Sequence, residues 1–265
     1  MERLLALGES SWGLTKRVLK EMNRVFDYSL LNWNKCFHVG VKNIPVWVVS
    51  AEELDFPRRK PLPFLHHLGT TTDLNRKEFK DPYFEVLTKK IQDKKIVYCS
   101  LGTLSVTHNK QGFEFLQKVV ELFSHRKDWE LIISCGEIDI NQIGRVATNI
   151  HLFQKVPQLS VIKLNEFVIT HAGSNTVKEC ILLGKPMLTF PLNNKWDQNG
   201  IAARVVYHKM GLSGNINTIT IKELSLMVNE LIENPIYKEN TLKMSKIFQK
   251  QNDNLELRVL ELFNS

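Results

Sequence analysis

No run of about 18 apolar residues occurs in this chain, so its sequence offers no membrane-spanning helix. The N-terminus, MERLLALGESSWG, lacks the basic start and long apolar stretch of a secretory signal. A cytoplasmic protein is the resulting expectation. No G-x-G-x-x-G follows a strand-like run and no G-x-x-x-x-G-K-[ST] occurs, which leaves dinucleotide fingerprints and P-loops unsupported. The four cysteines, Cys36, Cys99, Cys135 and Cys180, form no C-x-x-C pair, and Cys99 and Cys135 lie in apolar runs; reduced, buried thiols are expected. Lysine and arginine outnumber acidic residues, 35 to 28, but they are scattered rather than gathered into a stripe. The basic segment Lys238 to Lys250 has almost no aromatic interleaving, so nucleic acid is not an expected partner. The charge excess favours an anionic small molecule instead.

With 265 residues, 43% of them hydrophobic, there is material for one large core or two smaller ones. From about residue 94, short β-rich runs alternate with helical patterns, the signature of an α/β fold with a parallel sheet covered by helices. The runs are Ile96 to Ser100, Leu131 to Ser134, Asn149 to Phe153, Phe167 to Thr170 and Met187 to Phe190. Between the first two, Phe113, Leu116, Val120 and Phe123 recur at helical spacing and make an apolar stripe for one sheet face. Thr220 starts an amphipathic helix to about Leu231, Asn234-Pro235 breaks it, and a lysine-rich helix follows. Before residue 90 there is one convincing strand, in IPVWVVS, followed by a proline-dense connector from Pro57 to Pro63. One strand is too few for a complete α/β domain of roughly 100 residues or more.

The run THAGSNT, 170–176, stands between two apolar blocks. Phe167 to Thr170 reads as a strand and Thr176 to Leu183 as a helix ending before Gly184, so HAGSN is a strand-to-helix turn at the carboxyl edge of the sheet. A helix N-terminus there presents backbone N–H groups to an anion, Gly173 allows close approach, and His171, Ser174, Asn175 and Thr176 add donors. Thr176 with Glu179 also fits a capping box, S/T-x-x-E, which would merely start the helix. One unit along, NNKWDQNG opens the next helix and brings Asp197 and Gln198 to the same edge. A carboxylate beside a carboxamide suits the paired hydroxyls of a sugar, whereas Asp197 alone could be an N-cap. Glu137 and Asp139 alternate as in some acidic metal motifs, but a solvated loop accounts for them.

Taken together, THAGSNTVKEC, the spacing to KWDQ, the upstream VPQL at Val156 to Leu159 and SLGT at Ser100 to Thr103 resemble the UDP-glycosyltransferases of the GT-B fold. Within that superfamily the chain is most similar to bacterial small-molecule glycosyltransferases of the macrolide-transferase type. The resemblance implies one complete Rossmann-like domain, at 91–236, with a partial second domain. Residues 1–90 would be the remnant of an acceptor domain and its linker, and residues 237–265 helices packing back towards that domain. It also implies donor-site roles. His171, Asn175 and Thr176 would hold the diphosphate, approached by Thr103, with Gly173 in the turn and Ser174 at a variable position beside the sugar. Gln158 and Glu179 would bind the ribose hydroxyls, and Asp197 and Gln198 those of the transferred sugar. Where many relatives place an aromatic residue on the uracil, just before VPQ, this chain has Lys155, with Phe153 two positions earlier.

The expected reaction is metal-independent, inverting transfer of a hexosyl group from a UDP-sugar to a small-molecule hydroxyl. It requires no cofactor, the UDP-sugar being co-substrate. The family's acceptor-activating histidine has no counterpart among His38, His66 and His67, none of which follows an early apolar strand and glycine-rich turn. The chain is therefore expected to be the donor-binding half. A partner-dependent subunit served by a separate N-terminal half is an alternative, as is a UDP-sugar epimerase on the same fold, although WDQ and VPQ favour the transferase.

Overall fold

A computed structural model describes residues 31–32, 40–41, 45–60, 65–102, 110–192, 197–252 and 255–264. His38, Cys36 and Thr103 fall outside these. The chain separates into two compact units, one of residues 1–48 and 59–66, the other of 49–58 and 67–265. In the first, β1 (Leu31–Asn32) pairs antiparallel with β2 (Gly40–Val41). The strand expected in IPVWVVS is β3 (Val46–Val48), which pairs with β4 (Leu65–His67).

The second unit carries the site. After helix α1 (Pro82–Ile91), capped by the Asp81 side chain on the Phe84 N–H, the chain enters β5 (Lys95–Ser100). There follow α2 (Lys110–Ser124), β6 (Trp129–Ser134), the short α3 (Ile140–Ile143), β7 (Ile150–Phe153) and α4 (Gln158–Leu164). Then come β8 (Phe167–Thr170), α5 (Ser174–Leu182), β9 (Met187–Thr189), α6 (Gln198–Tyr207) and β10 (Gly211–Ser213). Helices α7 (Ile221–Glu233), α8 (Ile236–Asn252) and α9 (Leu255–Asn264) complete it. All six strands from β5 to β10 are parallel, in the order β10-β9-β8-β5-β6-β7. The chain starts mid-sheet at β5, winds out to β7, returns to β8 on the other side of β5 and winds out to β10. That is the doubly wound Rossmann order, and β5/β8 is where its direction reverses.

Strand composition follows from this layering. Val97 and Cys99 of β5 enter a core with Phe115, Val119 and Phe123 of α2 and Leu224 and Val228 of α7. Ile96 and Tyr98 point the other way, into a core with α1, α4, α5, α6 and α8. Successive side chains of a strand alternate faces, and both faces are covered, so the whole strand must be apolar. The stripe on α2 is wider than its four expected positions: Phe115 and Val119 are fully buried, while Phe113 and Val120 lie at its partly buried margin. Helix α8 is lysine-rich on one face only. Tyr237, Thr241, Met244, Ser245 and Phe248 are buried, and the Ser245 hydroxyl donates to the Leu182 carbonyl at the end of α5.

Cys99, Cys135 and Cys180 are free and buried as expected. Burial raises the Cys99 and Cys180 thiols and pushes Cys135 up to about 11, which keeps them protonated and inert. Asp139 caps α3 through the Asn141 N–H, and Glu137 is exposed.

Candidate functional site

Every expected donor-site residue among those described follows the carboxyl end of a strand in one sheet. Gln158 follows β7, His171 to Glu179 follow β8, and Asp197 and Gln198 follow β9; Gly102, not itself among the expected residues, follows β5. In the register of the sheet Ser100 pairs with Thr170 and Thr170 with Thr189, so the loops leave side by side. The innermost two, at Gly102 and His171, lie at the β5/β8 reversal, where open α/β sheets form a crevice.

The His171 ring is wedged between two glycines. A Cβ on Gly102 would come within 2.7 Å of the ring's Cε1, and a Cβ on Gly173 within 2.7 Å of its Nε2. Gly102 has φ +83°, which side chains disfavour, and Ala172 carries φ +65° without being glycine. Such a residue costs on the order of 1 to 3 kcal/mol and clusters at functional turns. The His171 Nδ1 is buried, and the polar group beside the ring is the Ser100 backbone, outside full hydrogen-bonding geometry. Burial lowers the His171 pKa from its ordinary value, opposed by the Ser100 backbone and the charge of Asp197, so the ring is neutral at pH 7.

Helix α5 starts at Ser174, two residues before the expected Thr176, and its N-cap is Gly173, with no side chain capping it. The capping box expected of Thr176 and Glu179 is absent, because Thr176 already lies inside the first turn. Glu179, only 3% exposed, turns elsewhere: its Oε2 accepts from Gln158 Nε2 at 2.6 Å and its Oε1 from Arg76 Nη1 at 2.5 Å. Gln158 Nε2 also lies 3.4 Å from Thr176 Oγ1. Gln158, Thr176 and Glu179 therefore form one cluster beside the helix terminus. Asp197 occupies the N-cap of α6 but its carboxylate does no capping and is exposed. Its charge acts on Lys178, whose pKa burial lowers, as well as on His171. Gln198 is buried, with Oε1 accepting from the Leu192 N–H at 2.8 Å.

The family model for UDP-glucoronosyl and UDP-glucosyl transferase matches residues 14–259. The chain belongs to this family. Human UDP-glucuronosyltransferase 3A1 is 32% identical over 162 residues, covering 60% of this chain and 30% of the relative. Zeaxanthin glucosyltransferase of Pantoea ananas is 27% identical over 196 residues, covering 72% of this chain and 42% of the relative. The chain thus spans less than half the length of these curated relatives. Among solved structures, the glycotransferase of kitacinnamycin superposes with a TM-score of 0.66 at 22% identity, covering 82% of this chain and 53% of that one. Glycosyltransferase VinC, solved with dTDP, gives 0.60 at 20% identity, covering 84% and 55%. These likenesses show the GT-B fold.

In this member of the family, Lys155, just ahead of α4, is exposed. Phe153 is buried and packs edge-on to Phe84 at 5.8 Å between ring centroids. Arg76, which meets Glu179 across 103 positions of sequence, was not expected in the site. It sits in the charged stretch RKEFK, 76–80, whose composition reads as a solvated connector, so no local signal marks it. Glu78 of the same stretch accepts from the Leu159 and Ser160 N–H groups at 2.7 and 2.9 Å. Among the described residues no group of three or more His, Cys, Asp or Glu could hold a metal, and no helix is long and apolar enough to cross a membrane.

Proposed function

We propose that this chain binds the donor of a hexosyl transfer, a UDP-sugar, and that the transfer goes to the hydroxyl of a small molecule with inversion at the anomeric carbon. The observation that carries the reading is His171: an imidazole whose burial favours the neutral form, held between Gly102 and Gly173 against a helix N-terminus that no side chain caps. Such a terminus attracts an anion through its backbone N–H groups and dipole. The diphosphate sits there, with His171, Ser174, Asn175 and Thr176 as donors; the family resemblance assigns Thr103 to the same group. Glu179 and Gln158 take the ribose hydroxyls, and Asp197 and Gln198 those of the sugar.

In this reading the acceptor oxygen attacks the anomeric carbon from the face opposite the diphosphate, and the bond from that carbon to the phosphate oxygen breaks. Negative charge grows on the departing UDP. His171 and the α5 terminus are already aimed at it, so they stabilise the transition state more than the ground state, and the step requires no metal. The acceptor proton goes to a base supplied by the acceptor domain. The reduced thiols of Cys99, Cys135 and Cys180 support a cytoplasmic setting.

Calorimetry with UDP tests the donor site. Saturable binding is expected, weakened about tenfold or more by His171→Ala, in line with loss of one hydrogen bond to a charged group. An unchanged affinity in a folded H171A variant removes the diphosphate role.

A further inference from the structure

Helix α4 begins with Gln158, and its N-cap is Pro157, which has no side chain able to accept from the helix N–H groups. The acceptor comes instead from Glu78, whose two carboxylate oxygens take the N–H groups of Leu159 and Ser160, and whose Oε2 also takes the Ser160 hydroxyl at 2.8 Å. Two residues earlier, Arg76 meets Glu179 on α5. One five-residue stretch thus ties down both helices that bring the polar cluster together, and it does so next to the two residues that touch each other, Gln158 and Glu179. Glu179 is 3% exposed, and a carboxylate taken out of water needs a countercharge and fixed donors to keep one orientation. Arg76, with its rigid planar fork, supplies the charge, and Gln158 supplies the second donor. A cavity of about 630 Å³ is lined by Arg76 and Glu78 together with residues of 74–88 and 157–164.

We propose that Arg76 is a positioning residue for recognition of the donor's ribose, and that Arg76 and Glu78 form a strap setting Glu179 and Gln158 in the orientation that accepts the ribose hydroxyls. Arg76 acts through Glu179 and does not itself touch the sugar-nucleotide. The inference rests on the donor-site reading above, in which Glu179 and Gln158 face the ribose.

The test is calorimetry of the intact chain with UDP and with 2′,3′-dideoxyuridine diphosphate, which keeps the diphosphate and loses the ribose hydroxyls. Wild type is expected to prefer UDP by about tenfold or more, and Glu179→Gln to erase most of that preference. Arg76→Ala should erase it to a similar extent while leaving dideoxy affinity within about twofold, Arg76→Lys should restore part of it, and the double variant should lose no more than either single one. An Arg76→Ala chain that melts earlier yet keeps the full preference for UDP overturns the strap, since Arg76 is then only structural. Arg76→Gln, which retains a hydrogen-bond donor, serves the same comparison if the alanine variant does not fold. A wild type that binds both ligands equally overturns the ribose reading itself, and the strap with it. That outcome appears before any Arg76 variant is made, so the two failures are distinct.

Discussion

Thr176-Val177-Lys178-Glu179 and Thr220-Ile221-Lys222-Glu223 are nearly the same four residues at the starts of two helices of one unit, and they do different work. At Thr220 the sequence rule holds in full: the threonine hydroxyl accepts from the Glu223 N–H, and the Glu223 carboxylate accepts from the Thr220 N–H at 2.8 Å. At Thr176 the helix has already started at Ser174, and the glutamate is buried against Arg76 and Gln158. What precedes each tetrapeptide makes the difference. Ile219 enters α7 directly, whereas Ala172 in the left-handed region and Gly173 start α5 two residues early. The first terminus is closed by its own side chains. The second is left without a cap at the sheet's carboxyl edge, where its glutamate is released for another task. A capping motif is thus a statement about register, and register is set upstream of it.

The strongest way to break the contrast is to crowd the His171 ring beside the uncapped terminus. Gly102→Ala would place a methyl 2.7 Å from the His171 ring at φ +83°. Loss of UDP affinity by tenfold or more is expected, with a stability loss of roughly 1 to 3 kcal/mol from the strained backbone; calorimetry and urea unfolding measure the two. The paired threonines come next. Thr220→Ala should cost about 1 kcal/mol in urea unfolding, as removal of a working cap does, and leave UDP affinity unchanged. Thr176→Ala should cost little stability, because the threonine caps nothing, but should weaken UDP severalfold. Equal stability losses at both positions would mean that the two termini are alike after all.

How much of this was legible beforehand follows the same line. The strands β5 to β9 and their parallel sheet could be anticipated because a sheet covered on both faces demands continuous apolar runs such as Ile96 to Ser100. Strand β10 could not: it is three residues, Gly-Leu-Ser, and its glycine is required because a Cβ there would meet the Met187 carbonyl oxygen at 1.9 Å, a tertiary constraint. In the site, His171 and the turn around it were visible as an excess of polar residues between apolar blocks. Gln198 was visible as a donor–acceptor pair, but not the use of its carbonyl to hold Leu192. The partners of Glu179 were hidden for the reason that hid β10. Arg76 lies far away in sequence, in a stretch whose charges look solvated, and only the folded chain brings it back.

The smallest effect separates the two termini by pH. Burial favours the neutral His171 ring, so the folded chain takes up that proton at lower pH than the unfolded chain, whose histidine titrates near the ordinary 6.5. His171 therefore contributes stability that is in place above about 6.5 and declines as pH falls from there towards the lowered folded value. A bound diphosphate reverses the preference, since two negative charges beside the ring favour imidazolium. UDP-glucose is the ligand to use, because its diphosphate is a diester and lacks the phosphate ionisation near pH 6 that a terminal group would add. Its affinity should rise severalfold between pH 8 and pH 6 with uptake of a proton, seen in calorimetry as a heat that depends on the buffer's own ionisation. His171→Gln should flatten the profile, and Thr220→Ala should leave it as it is, because only the uncapped terminus has an imidazole facing the charge.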